Sequence, residues 1–342
     1  MFGEAPIAPI QDQFLSSYVS PHYDTPYLQQ WSFGISSQLA NDWALEVNYV
    51  GTKGTHQGML HLFGNQPEPG VGDLQPRRPY PDLNIMLFTT TDANTNYNAL
   101  QTRLTKRLSQ GLNFLVSYTF AKSINDGEGN EGFGGGNGGN VNPQDDNNRR
   151  ADRGRSYIDA RHRFVASYVW DFPFGTGKRF LNRQGWQNQI VAGWQMSGIT
   201  SFQSGYPMTI FANQDYSNTG TLTPRTDRLC QGDGKKTLEA WFDTGCFSND
   251  SLQTALASGV PRFGNSGRNI LDAPGSIGWD LALLKNFGVG ERFKIQFRAE
   301  AYSLLNHLNP GVPIATIGNP NAGQILSGSG ERTLQFGLKV SF

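Results

Sequence analysis

The sequence predicts an all-β chain: an antiparallel transmembrane β-barrel meander of about nine strands, forming part of a larger barrel, with long extracellular loops and short periplasmic turns. Three observations lead there. Apolar and polar residues alternate with period two in segment after segment, the pattern of a strand with one face in an apolar medium and one in water. The segments run to ten or more residues, nearer the roughly 9–11 of a tilted membrane strand than the usual 5–6. Short and long connections alternate along the chain, as they do between the two sides of an outer-membrane barrel.

Taken in order, residues 1–27 read as an irregular opening segment and residues 28–342 as barrel. Trp31 to Leu39 and Trp43 to Val50 are the first two strands, joined by the tight turn Ala40-Asn41-Asp42 and followed by a long loop over 53–95. In the third, Leu100, Leu104 and Leu108 oppose Gln101, Arg103, Thr105 and Arg107. After Ser109-Gln110-Gly111 comes the fourth, where Leu112, Phe114, Val116, Tyr118 and Phe120 oppose Asn113, Ser117 and Thr119. A long loop over 123–159 precedes His162 to Trp170. An intermediate loop, Pro173 to Gln187, stands where a short turn is expected, and Ile190 to Phe202 is the next strand. Beyond the long loop 204–276 lie Trp279 to Phe287, the turn Gly288-Val289-Gly290-Glu291, and Phe293 to Leu305. After the last long loop, 306–331, the final strand has the cleanest alternation: Leu334, Phe336, Leu338, Val340 and Phe342 against Thr333, Gln335, Gly337, Lys339 and Ser341.

Aromatics cluster near strand ends, at Trp31, Trp43, Tyr49, Tyr97, Tyr118, Phe120, Tyr168, Trp170, Trp279, Phe287, Phe297 and Phe342, as interfacial girdles require. The competing reading makes them core aromatics of a soluble sandwich. Against it, Arg103, Arg107, Arg161, Arg163, Lys294, Arg298 and Glu300 populate the second face too regularly for a dry core. Nine strands is an odd number, so the first and last would meet in parallel, and an open sheet leaves two aggregation-prone edges. No signal peptide is legible in the first residues. The expectation is therefore the carboxyl part of a longer barrel.

Composition narrows the function. The 342 residues carry 28 basic and 28 acidic groups, a net charge of zero, and no basic face to displace counterions, which argues against a nucleic-acid partner. No apolar run approaches the roughly 18 residues of a spanning helix. Cys230 and Cys246 are compatible with one loop disulfide in an oxidising compartment, two free thiols being the alternative. The glycine run 133–139 neither follows a buried strand nor opens a helix, and Gly175-Thr-Gly-Lys178 lacks the rest of a phosphate-binding loop. Asp145, Asp146, Asp152 and Asp159 are interleaved with Arg149, Arg150, Arg153 and Arg155, a pattern of internal ion pairing rather than a calcium site. Five scattered histidines, His22, His56, His61, His162 and His307, lack ligand spacing. No metal, cofactor or catalytic set is assembled, and the chain is expected not to be an enzyme. At least two of Arg161, His162 and Arg163 should face the lumen or its rim, where cations attract an anionic ligand or pair with carboxylates such as Glu300.

Several runs carry a resemblance: Asn96-Tyr-Asn-Ala-Leu-Gln-Thr-Arg-Leu-Thr-Lys-Arg-Leu108, Phe114-Leu-Val-Ser-Tyr-Thr-Phe-Ala-Lys-Ser-Ile124, Asp159-Ala-Arg-His-Arg-Phe164, Gly193-Trp-Gln-Met-Ser-Gly-Ile199, Gly264-Asn-Ser-Gly-Arg268, and Phe297-Arg-Ala-Glu-Ala-Tyr302 with Asn306-His307. In this order they resemble the barrel of TonB-dependent outer-membrane receptors of the Oar-like kind. The resemblance implies a barrel of about 22 strands around an amino-terminal plug, of which this chain would supply the final strands. It also implies a place in the bacterial cell outer membrane, with lipid, the missing plug and strands, and the TonB system as partners. The implied function is uptake of a bulky ligand; a passive structural or adhesive barrel, or a soluble carbohydrate-binding β protein, are the alternatives. For ligand contact the expectation falls on Trp241 and Phe242 in a loop and on Arg161 and Arg163 at the rim. Phe336, Leu338, Val340 and Phe342 resemble the terminal signal read by the barrel assembly machinery.

Overall fold

The computed structural model describes residues 16–61, 64–127, 143–182, 185–289 and 293–341. Nine long strands form one antiparallel meander: β1 Tyr27–Ala40, β2 Trp43–His61, β3 Met86–Ser109, β4 Leu112–Asn125, β5 His162–Asp171, β6 Trp194–Gln203, β7 Ser276–Val289, β8 Phe293–Tyr302 and β9 Thr333–Ser341. Each pairs with its sequence neighbours, and β1 and β9 are the two edges of an open sheet.

The registers turn nine separate alternations into one surface. Phe33 lies opposite Tyr49, Tyr49 opposite Leu100, Leu100 opposite Phe120, and Phe120 opposite His162. On the other half, Phe164 faces Phe202, Phe202 faces Ile277, Leu283 faces Ala299 and Ala299 faces Phe336. Cross-strand partners share a face, so every apolar set falls on the same side and Arg103, Arg163, Lys294, Arg298 and Glu300 fall on the other. A one-residue slip anywhere would have mixed the two.

Where the apolar core sits decides what kind of sheet this is. On strands paired at both edges, Leu100 is 43% exposed, Phe120 45% and Phe202 44%, whereas in a soluble sandwich such rows are the interior. Buried apolar clusters lie instead in the long connections. Met208, Ile210, Phe242, Cys246, Phe247, Leu271 and Ala273 form one, and Ala212, Tyr216 and Leu252 a second. No described helix is long and apolar enough to span a membrane. The described helices of six residues or more are α1, Trp186–Val191, and α2, Asp250–Ala257.

On the apolar face, glycines are roofed by rings. Gly51 lies under Trp31, and Gly198 under Tyr168, whose hydroxyl accepts a 2.7 Å hydrogen bond from Trp279 Nε1. Tyr168 and Trp279, from β5 and β7, thus meet across β6. A Cβ at residue 198 would stand 2.6 Å from the Tyr168 hydroxyl and 2.8 Å from the Asp280 carbonyl. Gly198→Val is therefore expected to cost about 1–3 kcal/mol by overpacking, read as a lower temperature at which the folded, fast-migrating band is lost in seminative electrophoresis.

Several expected boundaries move. β2 continues to His61 and β3 begins at Met86, so much of the span 53–95 is ladder rather than loop. The strand expected from Ile190 begins at Trp194, because Ile190 and Val191 belong to α1; the strand expected to reach Leu305 ends at Tyr302. Within the opening segment, Ser16–Val19 is a short strand running parallel to Met86–Thr89, along the edge of β3 that β4 has already left. The glycine run 133–139 and Phe342 lie outside the described residues.

Candidate ligand vestibule

At the loop end of the polar face, a pocket of about 320 Å³ is framed by Tyr97 and Gln101 of β3, Thr119 and Ser123 of β4, Arg163 of β5 and Gln203 of β6, and roofed by Ile158 to Ala160 and Tyr206. Strand parity puts these side chains there: all six strand residues occupy polar-face positions in the paired registers. Tyr97, expected in the girdle, is thus a vestibule residue. Arg163 supplies an exposed cation to the pocket. Arg161 is exposed at the start of the same strand, its carbonyl accepting from the Ala121 amide at 2.9 Å. His162 points to the apolar face instead, where its ring stacks on Tyr118 and accepts or donates a 2.9 Å hydrogen bond with the Tyr118 hydroxyl. Glu300 does not reach the rim arginines, because Arg298 holds it at 2.7 Å.

The roof is held by buried polar groups. The Asp159 carboxylate, 2% exposed as a residue, accepts from the Ser123 amide at 2.7 Å and from Arg155 Nε at 2.8 Å, and Arg155 continues to Asp272 at 2.5 Å. Asp152 and Arg225 form a 2.8 Å ion pair inside the loop assembly. Arg268 donates to the Asp152 carbonyl at 2.8 Å and to the Asn125 carbonyl at 2.7 Å, fastening the loop to the end of β4. The run Gly264 to Arg268 is the clasp. Gly264 presses its backbone on the Arg225 carbonyl, where a Cβ would come within 2.0 Å, and Asn265 accepts from the Arg228 amide at 2.7 Å. Of the interleaved aspartates, only Asp159 pairs with an arginine of its own run; Asp152 crosses to Arg225, and Asp146 crosses to His61.

The two aromatic loop candidates do not converge on this pocket. Phe242 is 1% exposed, its ring 5.9 Å from that of Phe247 in the main loop core, so it holds the loop together and touches no solute. Trp241 is half-buried, donates from Nε1 to the Asp272 carbonyl at 2.7 Å and carries Lys236 over its ring. A disulfide joins Cys230 to Cys246 beside the same core.

One cluster had no sequence signal. His61 lies beyond the roughly ten residues of β2 needed to cross a bilayer, 5% exposed, with Nδ1 at 3.0 Å from Asp146 and Nε2 at 2.9 Å from the Thr90 hydroxyl. Arg149 bridges to Asp92 at 2.9 Å. Burial opposes the imidazolium, but Asp146 and Asp92 outweigh it and hold His61 above its ordinary pKa. A raised histidine stabilises the fold fully below its unfolded pKa of about 6.5, and that contribution is lost as pH rises through the folded value. The loops are therefore expected to resist proteolysis better at pH 6 than at pH 8.5, and His61→Gln to remove most of that difference.

Further along the same face, Ser197, Asp280, Arg298 and Glu300 line a second concavity of about 390 Å³ together with Val169 and Ile199. The arrangement offers hydrogen-bonding groups and a fixed cation at the loop end, then a concavity of mixed polar and apolar side chains along the strands.

A family model described as an outer membrane beta barrel domain matches residues 4–335. No curated protein matches the chain. Among solved structures, the chain is similar to the outer membrane transporter YddB from Escherichia coli, at 10% identity and a TM-score of 0.47, covering 96% of this chain and 35% of that one. It is also similar to BauA, the ferric preacinetobactin receptor from Acinetobacter baumannii, at 10% identity and 0.44, covering 92% and 29%. A third is the siderophore receptor PiuA from Acinetobacter baumannii, at 8% identity and 0.43, covering 92% and 28%. The chain thus spans about a third of the length of the structures it matches. By its family match over nearly all its length, and by a strand sheet with one apolar and one polar face, this chain belongs to the outer membrane β-barrel domain family of the bacterial outer membrane.

Proposed function

We propose that the chain is the carboxyl-terminal part of the barrel of a TonB-dependent outer-membrane transporter, which receives a bulky solute in its extracellular loops and passes it along the polar face when a plug moves. The open sheet carries this reading. All fourteen residues of β1 and all nine of β9 are exposed, on both faces and along unpaired backbone edges. Strands in a hydrocarbon layer must have every amide and carbonyl paired, so both edges call for neighbours, and an odd meander does not supply them antiparallel to each other. The remainder of a larger barrel does. Loops built on a buried polar network over the polar face, with Arg163 beneath them, suit capture of a solute bearing negative charge. Energy for release would come from the inner membrane through the TonB system.

The test is conductance of the whole gene product in a planar bilayer. A plugged transporter stays closed at first and opens a large pore reversibly when urea is added on the periplasmic side and loosens the plug. A pore open from the outset, or no pore under any condition, would reject this reading in favour of a passive barrel.

A further inference from the structure

The connection between β5 and β6 is too long for a periplasmic turn and is folded in a particular way. On β5 the apolar-face parity runs through Tyr168 and Trp170, and it does not stop at the strand end. Trp170 packs edge-on against Phe172 with centroids 4.7 Å apart, Phe172 against Phe174 at 5.9 Å, and Phe174 against Phe180 at 6.3 Å. The lipid-facing row of rings therefore continues past the strand into the connection. Beyond it, α1 places Trp186 and Ile190 four residues apart on one face. Both are turned outward, Trp186 being 72% exposed and Ile190 58%.

Two tethers fix the side of the barrel on which α1 lies. Trp194 of β6 donates from Nε1 to the Ile190 carbonyl at 2.8 Å, and Lys285 of β7 donates from Nζ to the same carbonyl at 3.0 Å and to the Ala192 carbonyl. Trp194 and Lys285 are cross-strand partners on the apolar face. The helix end is therefore held from the lipid side of the rim, away from the lumen and from anything seated in it. Lys285, 2% exposed, spends its charge on the open carbonyls at the helix end. Residues 175–176 pack back on the helix: the Thr176 amide donates to Asn188 Oδ1 at 2.7 Å, and Gly175, at φ +108°, sits where a Cβ would strike Ala192.

We propose that this connection is a foot seated in the inner, phospholipid leaflet of the outer membrane, with Phe180, Leu181, Trp186 and Ile190 among the acyl chains and Lys178 and Arg179 at the phosphate headgroups. Continuity with the lipid-facing ring row and the lipid-side tethers select lipid over a periplasmic protein as occupant. The cations beside the apolar patch match an anionic headgroup, as in other interfacial elements. The inference rests on the bilayer seating of the strands, and its test separates the two.

The whole gene product is reconstituted in vesicles of phosphatidylethanolamine and phosphatidylglycerol containing a phospholipid with a diazirine in its acyl chain, illuminated, digested and mapped by mass spectrometry. Adducts are expected on peptides bearing Phe180–Leu181 and Trp186–Ile190 at a level comparable to strand peptides bearing Leu281 and Leu283. The double variant W186E/I190E should lower adducts in the connection at least tenfold and leave the strand peptides unchanged. Labelled strands with an unlabelled connection would overturn the foot alone. Strands and connection both unlabelled would overturn the bilayer seating and the foot with it.

Discussion

Replacing Arg225 with methionine is expected to open the extracellular loops while leaving the barrel strands folded. Arg225 is 4% exposed and its partner Asp152 3% exposed, and the two are 2.8 Å apart. Burial is strong enough to hold Asp152 above the usual carboxylate range even with Arg225 and Arg268 beside it. The intact pair is therefore near break-even: attraction offsets dehydration and little remains over. Removal of one partner is a different matter, because the survivor keeps its dehydration and loses the attraction, at a cost of about 3–5 kcal/mol. Arg225→Met should thus render residues 143–160 and 204–275 sensitive to trypsin, with the heat-modifiable electrophoretic shift of the strands unaltered. The double variant R225M/D152L removes both charges and should recover most of the resistance. Equal resistance in the wild type and the single variant would show that the pair carries no part of the loop fold.

The strand face and the loop network differ in how legible they are, and the reason is the solvent on each side. Where one face meets lipid and the other water, alternation is enforced at every second residue, so all nine strands, from Trp31 to Val340, are visible in the sequence, and Arg163 is placed on the polar face by parity alone. At the loop end of β2 and β3 the chain packs against the long connections, and Thr90 and Thr91 are buried; Thr89-Thr90-Thr91 carries no alternation and reads as loop. α1 has six residues, too short for a helical period to show, and its Ile190 and Val191 read as β-branched strand starters. The vestibule roof was hidden for another reason. Its contacts join residues far apart in sequence, such as Ser123 with Asp159, Asp152 with Arg225, and His61 with Asp146. Phe242 shows the same limit from the other side: a ring in a polar loop reads as a contact for a solute until the loop is seen to have a core of its own.

Two arginine substitutions on neighbouring strands put the lipid-facing assignment to its strongest test. Leu283 on β7 and Ser197 on β6 are in adjacent strands, two or three residues in from the Trp194–Lys285 pair; Leu283 pairs with Met196 and belongs to the apolar face, while Ser197 pairs with Ala282 and belongs to the polar face. An arginine on the lipid face costs from about 1 kcal/mol near the interface to about 4 kcal/mol at the midplane, and one in a wet lumen costs little because water reaches it. Leu283→Arg is therefore expected to lower the urea midpoint of the reconstituted gene product and its yield in the outer membrane, and Ser197→Arg to leave both near wild type. The contrast removes helix propensity, size and charge as explanations, since the same residue is introduced twice within a few ångströms of sheet and only the side differs. If the apolar rows were instead packed in a protein interior, the arginine at Leu283 would still be costly, but detergent would not be needed to keep the chain in solution. In the barrel the polar-face position tolerates its charge because the concavity it borders is already lined by Arg298, Glu300 and Asp280.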